Sequence, residues 1–475
     1  MKRYSLIRFI APVIIFLCFG ITSCHTNSGG QDTTSGDIDL FLSSLQDSGF
    51  DVQEGKYLLV DAIDLVNRGI INTANGNNSG NPYYAYILPL APGQSYPNEV
   101  ALEGGYLNYR LKANEALVLV GVTPPEMMYF SYRSFLFSRY YSDLGRQFKL
   151  YTALGDTLNK LTISTGRTAP FNRPIMIITS GDQTTHEMVK SVAIAAGYSP
   201  AIINIDILPS EILKMGLDKE DDTFTFLGRT AMPIDNEGFA AYLRNSGSRV
   251  FRITPRDGLI TEAKPYPKPT LKPRGTGQTE AWLQPGMNDL REAILAHYSA
   301  YEATELTTEI WLPESLVAID ERRDVLGESR DTPYLWTNLA SKFILPDDPN
   351  EFLIVYGVNH QASGKATYSN FIVYGEKYIN GVASVASPSF AGSADVYIQG
   401  HSQANYLYAW KVARQSDGSA HCLTVPYGPQ HYGFGSTIDD QYGFVGFRAY
   451  LEPATTVGAK WDELLYDRVI KFKKR

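Results

Sequence analysis

Strands and helices alternate regularly between Pro174 and Thr254, and this stretch constrains the fold more than any other part of the chain. Short β-branched and aromatic runs indicate strands, apolar residues at helical spacing indicate helices, and Gly197 ends the first helix. The pattern predicts strand, helix, strand, strand, helix and strand over Ile175–Thr179, Thr184–Ala195, Ala201–Ile207, Asp222–Thr230, Glu237–Leu243 and Arg249–Ile253. The chain is therefore expected to fold as an α+β protein.

The order of these elements, βαββαβ, resembles the split βαβ unit of ferredoxin-like folds. The resemblance implies that residues 170–256 form a ferredoxin-like lobe in the middle of the chain. It concerns topology alone, so it implies no activity.

The distribution of tyrosine suggests how the rest of the chain is organised. Residues 83–151 contain 11 tyrosines and residues 334–450 contain 12, whereas residues 170–256 contain only Tyr198 and Tyr242. We therefore expect the N- and C-terminal parts to pair into one β-rich main domain, with the ferredoxin-like lobe inserted between them. No internal repeat is evident in the sequence.

The two flanking parts have their own predicted elements. Residues 37–165 should contain an N-terminal helix, capped by Asp37, followed by aromatic strands, and residues 286–475 should form the C-terminal β-rich domain. Four prolines between Lys264 and Gly275 predict that residues 257–285 form an extended, semi-rigid linker. The clearest strands and helix in these parts are Tyr83–Leu88, Ala116–Gly121, Met127–Phe137 and Met287–Glu302.

The N-terminus has the layout of a secretory signal. Three basic residues precede the uncharged run Phe9–Gly20, and small residues lead into Cys24. This run of about 12 residues is shorter than the roughly 20 that span a bilayer. The segment Ile21-Thr22-Ser23-Cys24 resembles the lipobox of bacterial lipoproteins.

The lipoprotein resemblance implies a cell-envelope location. In that family the signal peptide, here residues 1–23, is removed, and the Cys24 thiol carries a diacylglyceryl group as the membrane anchor. Residues 24–36 then form a flexible tether. His25 stands where an Asp favours inner-membrane retention in some bacteria, so the outer membrane is slightly preferred.

Charge and cysteine content narrow the possible partners and stabilising elements. The formal net charge of −8 argues against nucleic acid as a partner, because phosphates demand a basic surface. Once the signal peptide is removed and Cys24 is lipidated, Cys422 is the one remaining thiol, so no intrachain disulfide is expected. The fold must then be held by its hydrophobic core.

One short motif suggests an enzyme. The sequence Gly400-His401-Ser402-Gln403-Ala404 lies between a predicted strand, Ala394–Gln399, and a predicted helix, Asn405–Arg414. This arrangement resembles the nucleophile elbow of α/β-hydrolases. The resemblance implies a nucleophilic Ser402 with His431 as its base, although Ala404 replaces the second glycine of the family motif.

A second group of residues suggests ligand binding. Aromatic side chains crowd the last third of the chain, and His360, Lys365, His401 and Tyr432 are candidates to line an aromatic cleft for a small or polymeric ligand. The histidines there match no compact ligand spacing, so no metal or other cofactor is predicted. The sequence thus leaves two functions open: a ligand-binding or scaffolding lipoprotein, and an exported serine hydrolase.

Overall fold

The computed structural model describes residues 36–426 and 442–475, and its strands fall into two groups along the chain. The first group of elements comprises α1 (Ile38–Asp47), β1 (Phe50–Glu54), β2 (Lys56–Val60), α2 (Ala62–Asn67), β3 (Tyr83–Ile87), β4 (Ala101–Leu102), β5 (Gly105–Tyr106), β6 (Ala116–Val122), β7 (Met127–Tyr141), β8 (Arg146–Ala153), β9 (Leu158–Asn159), β10 (Pro174–Ser180), α3 (Gln183–Ala195), β11 (Ile203–Ile207), β12 (Thr223–Pro233), α4 (Asn236–Arg244) and β13 (Arg249–Pro255).

The second group follows a connecting segment that has no strand of its own. It comprises α5 (Gln284–His297), β14 (Tyr301–Leu306), β15 (Thr308–Ile310), α6 (Val317–Glu321), β16 (Tyr334–Thr337), β17 (Glu351–Val358), β18 (Tyr368–Gly375), β19 (Asn380–Ala386), α7 (Asp395–Ile398), β20 (Leu407–Ala413), β21 (Cys422–Thr424), β22 (Gly443–Tyr450) and β23 (Arg468–Lys474).

Each group builds two large sheets, which we call outer and inner. In the first group the outer sheet has the order β1-β13-β6-β10-β11, and the inner sheet has the order β2-β3-β12-β7-β8, with β9 beside β7. In the second group the outer sheet is β14-β23-β17-β20-β21 and the inner sheet is β15-β16-β22-β18-β19. The large sheets are antiparallel except where β10 meets β11 and β20 meets β21.

Apart from the short strands β4, β5 and β9, the two groups therefore share one topology. The strands taken in sheet order match in pairs from β1 with β14 to β11 with β21, and from β2 with β15 to β8 with β19. Even the single parallel pair falls at the same place in each outer sheet. The described chain thus contains two structural repeats, the first over residues 36–255 and the second over residues 284–426 and 442–475.

Within each repeat the layers are helix, outer sheet and inner sheet. Phe41 of α1 and Val189 of α3 pack on the outer sheet of the first repeat, and Leu290 of α5 packs on that of the second. Between the two sheets of each repeat lies a separate apolar core. The inner sheets of the two repeats then face each other, where Tyr129 packs with Tyr450.

Local sequence explains the start of the fold. Asp37 is the N-cap of α1, and its carboxylate accepts hydrogen bonds from the backbone N–H groups of Asp39 and Leu40. Gly49 then takes a φ of +91°, a left-handed conformation that ends the helix before β1. The predicted N-terminal helix and its cap are confirmed.

The middle block has the predicted elements in a different arrangement. All six elements between residues 174 and 255 occur, but β10, β11 and β13 lie in the outer sheet while β12 lies in the inner sheet. The ferredoxin-like lobe is not confirmed, because these strands pair with β6 and β7, which precede the block. The α+β class holds in the sense of a mixed, strand-rich chain with several sheets.

The expected pairing of N- and C-terminal strands is also not found. None of the large sheets of the described chain mixes strands from the two repeats. The predicted linker, residues 257–285, is free of helix and strand only as far as residue 279, because Glu280–Leu283 form a 3-10 helix and α5 begins at Gln284. Pro265 forms an antiparallel bridge with Asp182, so the connection lies against the first repeat. None of the described helices is both long and apolar enough to cross a membrane.

Candidate functional site

Each repeat sends one loop across to the inner sheet of the other. The first crossing loop, residues 74–82, joins α2 to β3 and reaches the edge strand β19. The N–H of Gly76 donates to the carbonyl of Ile379 at 2.8 Å, and the Asn77 side-chain oxygen accepts from the N–H of Gly381 at 2.8 Å. The loop thus extends the hydrogen bonding of the second repeat.

The second crossing loop, residues 325–333, makes the reciprocal contacts. It joins α6 to β16 and reaches β8, the strand that corresponds to β19. The N–H of Gly327 donates to the carbonyl of Tyr151 at 2.7 Å, and the Glu328 carboxylate accepts from the N–H of Ala153 at 3.2 Å. Each repeat therefore receives a loop from the other at the corresponding strand of its inner sheet.

Backbone strain marks the same boundary in both repeats. Tyr151 and Ile379, which receive the crossing loops, have φ values of +41° and +48°. Met232 and Leu451, at the ends of the corresponding strands β12 and β22, have φ values of +53° and +55°. A bulky residue in this left-handed backbone conformation costs about 1–3 kcal/mol. The packing of one repeat against the other must hold them there.

Two arginines occupy corresponding positions on the facing inner sheets. Arg229 on β12 lies opposite Tyr83 on β3, and Arg448 on β22 lies opposite Tyr334 on β16. Since β12 corresponds to β22 and β3 to β16, each repeat contributes one Arg–Tyr pair at the same register. Only 7% of Arg229 and 6% of Arg448 are exposed to solvent.

The arginines also exchange contacts with the crossing loops. Arg229 donates through Nη2 to the carbonyl of Gly327, and Arg448 donates through Nη2 to the carbonyl of Gly76. Each guanidinium therefore binds the loop that belongs to the other repeat. This pair of contacts fixes both arginines at the boundary between the repeats.

A cavity of about 730 Å³, including solvent at its mouth, lies at this boundary. Both arginines line it, together with Tyr83 and Tyr334. Val60 and Trp311, which lie beside those tyrosines at the ends of corresponding strands, line it too. The two repeats thus contribute matching walls to one cavity.

The charge in the cavity is incompletely balanced. Among the described residues neither Arg229 nor Arg448 forms an ion pair, and Nη1 of Arg448 is buried without a hydrogen-bond partner. The Arg448 guanidinium instead lies 5.2 Å from the ring centroid of Tyr334. Burial raises the pKa of Tyr334, so that ring stays neutral. Burial also raises the pKa of Glu328, near Arg229, to about 7.

The predicted nucleophile elbow is not formed around Ser402. Residues 395–398 form helix α7 where a strand was predicted, and residues 407–413 form strand β20 where a helix was predicted. The order is helix–turn–strand, the reverse of an elbow, and exposed Ser402 has no hydrogen-bond partner among the described residues. His431, its predicted base, lies outside the described residues.

His360 is buried in an ion network and does not line the cavity between the repeats. Its Nδ1 lies 2.9 Å from Oε1 of Glu280, and its Nε2 lies 3.4 Å from Oδ2 of Asp467. Burial alone would lower the pKa of His360, but the two carboxylates raise it to about 10. The imidazolium is therefore already paired on both sides.

The other predicted cleft residues are also engaged or lie elsewhere. Lys365 binds Glu452 at 2.8 Å and Glu463 at 2.6 Å, and this pairing holds the pKa of Glu463 at about 2 in spite of burial. His401 is half-buried and lies 3.2 Å from Asp289. None of these three candidates lines the cavity between the repeats, and two of them are neutralised by buried carboxylates. The fourth, Tyr432, lies outside the described residues.

The sequence analysis missed the arginines and the crossing loops. A signal for them exists: Gly76, Pro82 and Tyr83 recur at the same spacing as Gly327, Pro333 and Tyr334. Three shared residues are too few to identify a repeat, and only the matched sheet orders give them meaning.

Comparison with known proteins gives no identity. No family model matches this chain, and no curated protein matches it either. Across residues 36–426 and 442–475, His, Cys, Asp and Glu side chains form no group of three or more that could hold a metal ion. The function must therefore be inferred from the cavity itself.

Proposed function

We propose that this protein is a lipid-anchored cell-envelope protein that binds a small organic ligand in the cavity between its two repeats. The lipobox-like segment ending at Cys24 supports the anchor, and residues 24–36 are long enough to act as a tether. An outer-membrane location remains the slight preference because His25 follows the cysteine.

The cavity is the observation that carries the proposal. Aromatic and aliphatic side chains such as Trp311, Tyr151 and Leu65 line it, with a small number of polar groups among them. Apolar walls with few, fixed polar groups are the usual composition of a ligand pocket.

The position of the cavity favours specific binding. The crossing loops fix its walls from both sides, and backbone hydrogen bonds anchor each loop to the opposite repeat. A preformed cavity loses little conformational freedom when a ligand enters, and this raises affinity. The serine-hydrolase alternative receives no such support from the surroundings of Ser402.

Filling the cavity tests the proposal. Ala62, the first residue of α2, lines the cavity, whereas Ala241 on α4 is exposed. Ala62→Trp should abolish the fluorescence enhancement of the neutral dye N-phenyl-1-naphthylamine, and the matched Ala241→Trp variant should retain it. Equal dye binding by both folded variants would place the binding elsewhere and contradict the proposal.

A further inference from the structure

We propose that the cavity between the repeats binds an amphipathic organic anion, with the acidic group paired to Arg448 and the apolar body against the wall formed by Trp311. This inference rests on the proposed function and specifies the class of ligand. It follows from the charge that the described residues leave unbalanced at the boundary between the repeats.

The first step is the state of Arg448. Its side chain is more than nine-tenths buried, yet among the described residues it has no ion-pair partner. Its Nη2 is bound to the carbonyl of Gly76, but the neighbouring Nη1 is buried without a hydrogen-bond partner. A buried, incompletely paired charge is costly, and a guanidinium does not lose its proton to avoid that cost. Arg448 lines the cavity, so an anion bound there beside the guanidinium would offset that cost.

The second step is the neutrality of what surrounds Arg448. Its strongest electrostatic neighbours are tyrosines, among them Tyr374 and Tyr334, and burial raises the pKa of both. They therefore supply ring faces and no negative charge near pH 7. Arg229 differs, since the buried carboxyls of Glu328 and Asp331 lie close enough to feel its charge. Arg448 is thus the better anion partner of the two.

The third step is the shape of the rest of the cavity. Val60, Leu65, Ile71, Leu107 and Trp311 all line it, and they form a wall without charge. An inorganic anion would leave this apolar surface in contact with water. A ligand with an aromatic or aliphatic body would cover the apolar wall, and its acidic group would at the same time pair with the guanidinium of Arg448.

Two dyes that differ by a single acidic group test the inference. 1-Anilinonaphthalene-8-sulfonate and N-phenyl-1-naphthylamine share one ring system, and only the first carries a sulfonate. The full-length protein should bind the sulfonate at least about tenfold more tightly, since a hydrogen bond to a charged group contributes about 1.5–3 kcal/mol. Arg448→Met should weaken sulfonate binding about 10–100-fold and change binding of the neutral dye by less than about threefold.

Control variants separate the possible outcomes. Arg249→Met removes an exposed arginine paired with Glu54 and should leave both affinities unchanged. Equal affinity of the two dyes for the wild-type protein, or equal weakening of both by Arg448→Met, would overturn the anion inference and leave the binding function standing. If Arg448→Met does not fold, two other measurements decide the question. One is the ratio of the two dye affinities in the wild-type protein. The other is the binding of both dyes by Arg448→Lys, which keeps the charge and should keep the preference for the sulfonate.

Failure of the proposed function itself has a different signature. In that case the Ala62→Trp substitution would leave the binding of both dyes unchanged. That result would remove the cavity as a binding site and overturn the inference with it.

Discussion

Buried charge has two different roles among the residues of this protein. The His360 and Lys365 networks are closed, because each cation meets two buried carboxylates. Arg448 is equally buried but has one guanidinium nitrogen without a partner. Closed networks hold the fold together, whereas the unpartnered nitrogen of Arg448, at the cavity wall, is the basis of the proposed anion site.

The closed network at His360 predicts a large loss of stability on substitution. His360→Gln leaves the carboxylates of Glu280 and Asp467 buried without their cation, so the free energy of unfolding at pH 6 should fall by about 3–5 kcal/mol. Urea denaturation measures this free energy of unfolding. His401→Gln, at a half-exposed histidine, should change stability by less than about 0.5 kcal/mol.

The pKa of His360 fixes how that loss depends on pH. Because the folded-state pKa is raised from 6.5 to about 10, the stabilisation is complete below about pH 6.5 and disappears as the pH rises through about 10. The difference between wild type and His360→Gln should therefore shrink between pH 6 and pH 10. The same difference at both pH values would show that the imidazole is neutral in the folded protein.

Glu328 predicts the opposite response to substitution. Burial raises its pKa from 4.5 to about 7, so keeping it ionised above pH 7 destabilises the folded state. Glu328→Gln retains a side-chain oxygen for the N–H of Ala153 and should raise the free energy of unfolding at pH 8 by about 1–3 kcal/mol. The gain should be smaller at pH 4.5, and the exposed control Glu302→Gln should show none.

Sequence reasoning at the residue scale identified reactive types but not their partners. His360 and Lys365 are close in the sequence, yet the residues that bind His360 are far from it along the chain: Glu280 is 80 residues away and Asp467 is 107. Only the fold brings them together. Arg229 and Arg448 look like ordinary strand residues in the sequence, because their importance depends on the opposite repeat.

Secondary structure could be predicted best where its period was clear. The strands at β10 and β12 and the helix α3 lie within a few residues of their predicted bounds. The error at β20 came from a motif, since a helix was expected after Ser402. The residues alternate instead: Leu407 and Ala409 face the helical layer, while Tyr408 and Val412 face the core between the sheets. That period of two is typical of a strand.

The crossing loops predict an element-scale effect at Gly327. Its φ is +72°, and an added Cβ would lie 2.8 Å from the ring of Tyr151, which packs against Phe135. Gly327→Ala should therefore lower the free energy of unfolding by about 2–4 kcal/mol. Gly104→Ala is the matched control, because its φ of +81° is similar but nothing lies within 4 Å of the added atom. It should cost about 1 kcal/mol.

At the scale of the whole molecule, the sequence analysis predicted the elements and misjudged their assembly. The tyrosine-poor middle block suggested an inserted lobe, yet its strands complete the sheets of the first repeat. Tyrosine content therefore did not mark a domain boundary. The order of strands in a sheet can stay the same while the side chains change. Two repeats can therefore share a topology without a repeated pattern that is visible in the sequence.

Reciprocal loops predict that the two repeats unfold together. Each inner sheet is completed by a loop from the other repeat, so neither should survive when the other unfolds. All five tryptophans lie after residue 281, so their fluorescence reports on the second repeat and its linker. Leu119→Ala, in the core of the first repeat, should lower the urea midpoint of tryptophan fluorescence as much as that of circular dichroism.

The control for this prediction is Leu353→Ala on β17, the strand of the second repeat that corresponds to β6. Both substitutions remove a buried leucine from a core between two sheets, at an expected cost of about 2–5 kcal/mol, and both should shift one shared transition. If Leu119→Ala left the urea midpoint of tryptophan fluorescence unchanged while Leu353→Ala lowered it, the two repeats would be independent domains. In that case the boundary cavity would be an interface between separately stable parts, and its walls would lack the rigidity that specific binding requires.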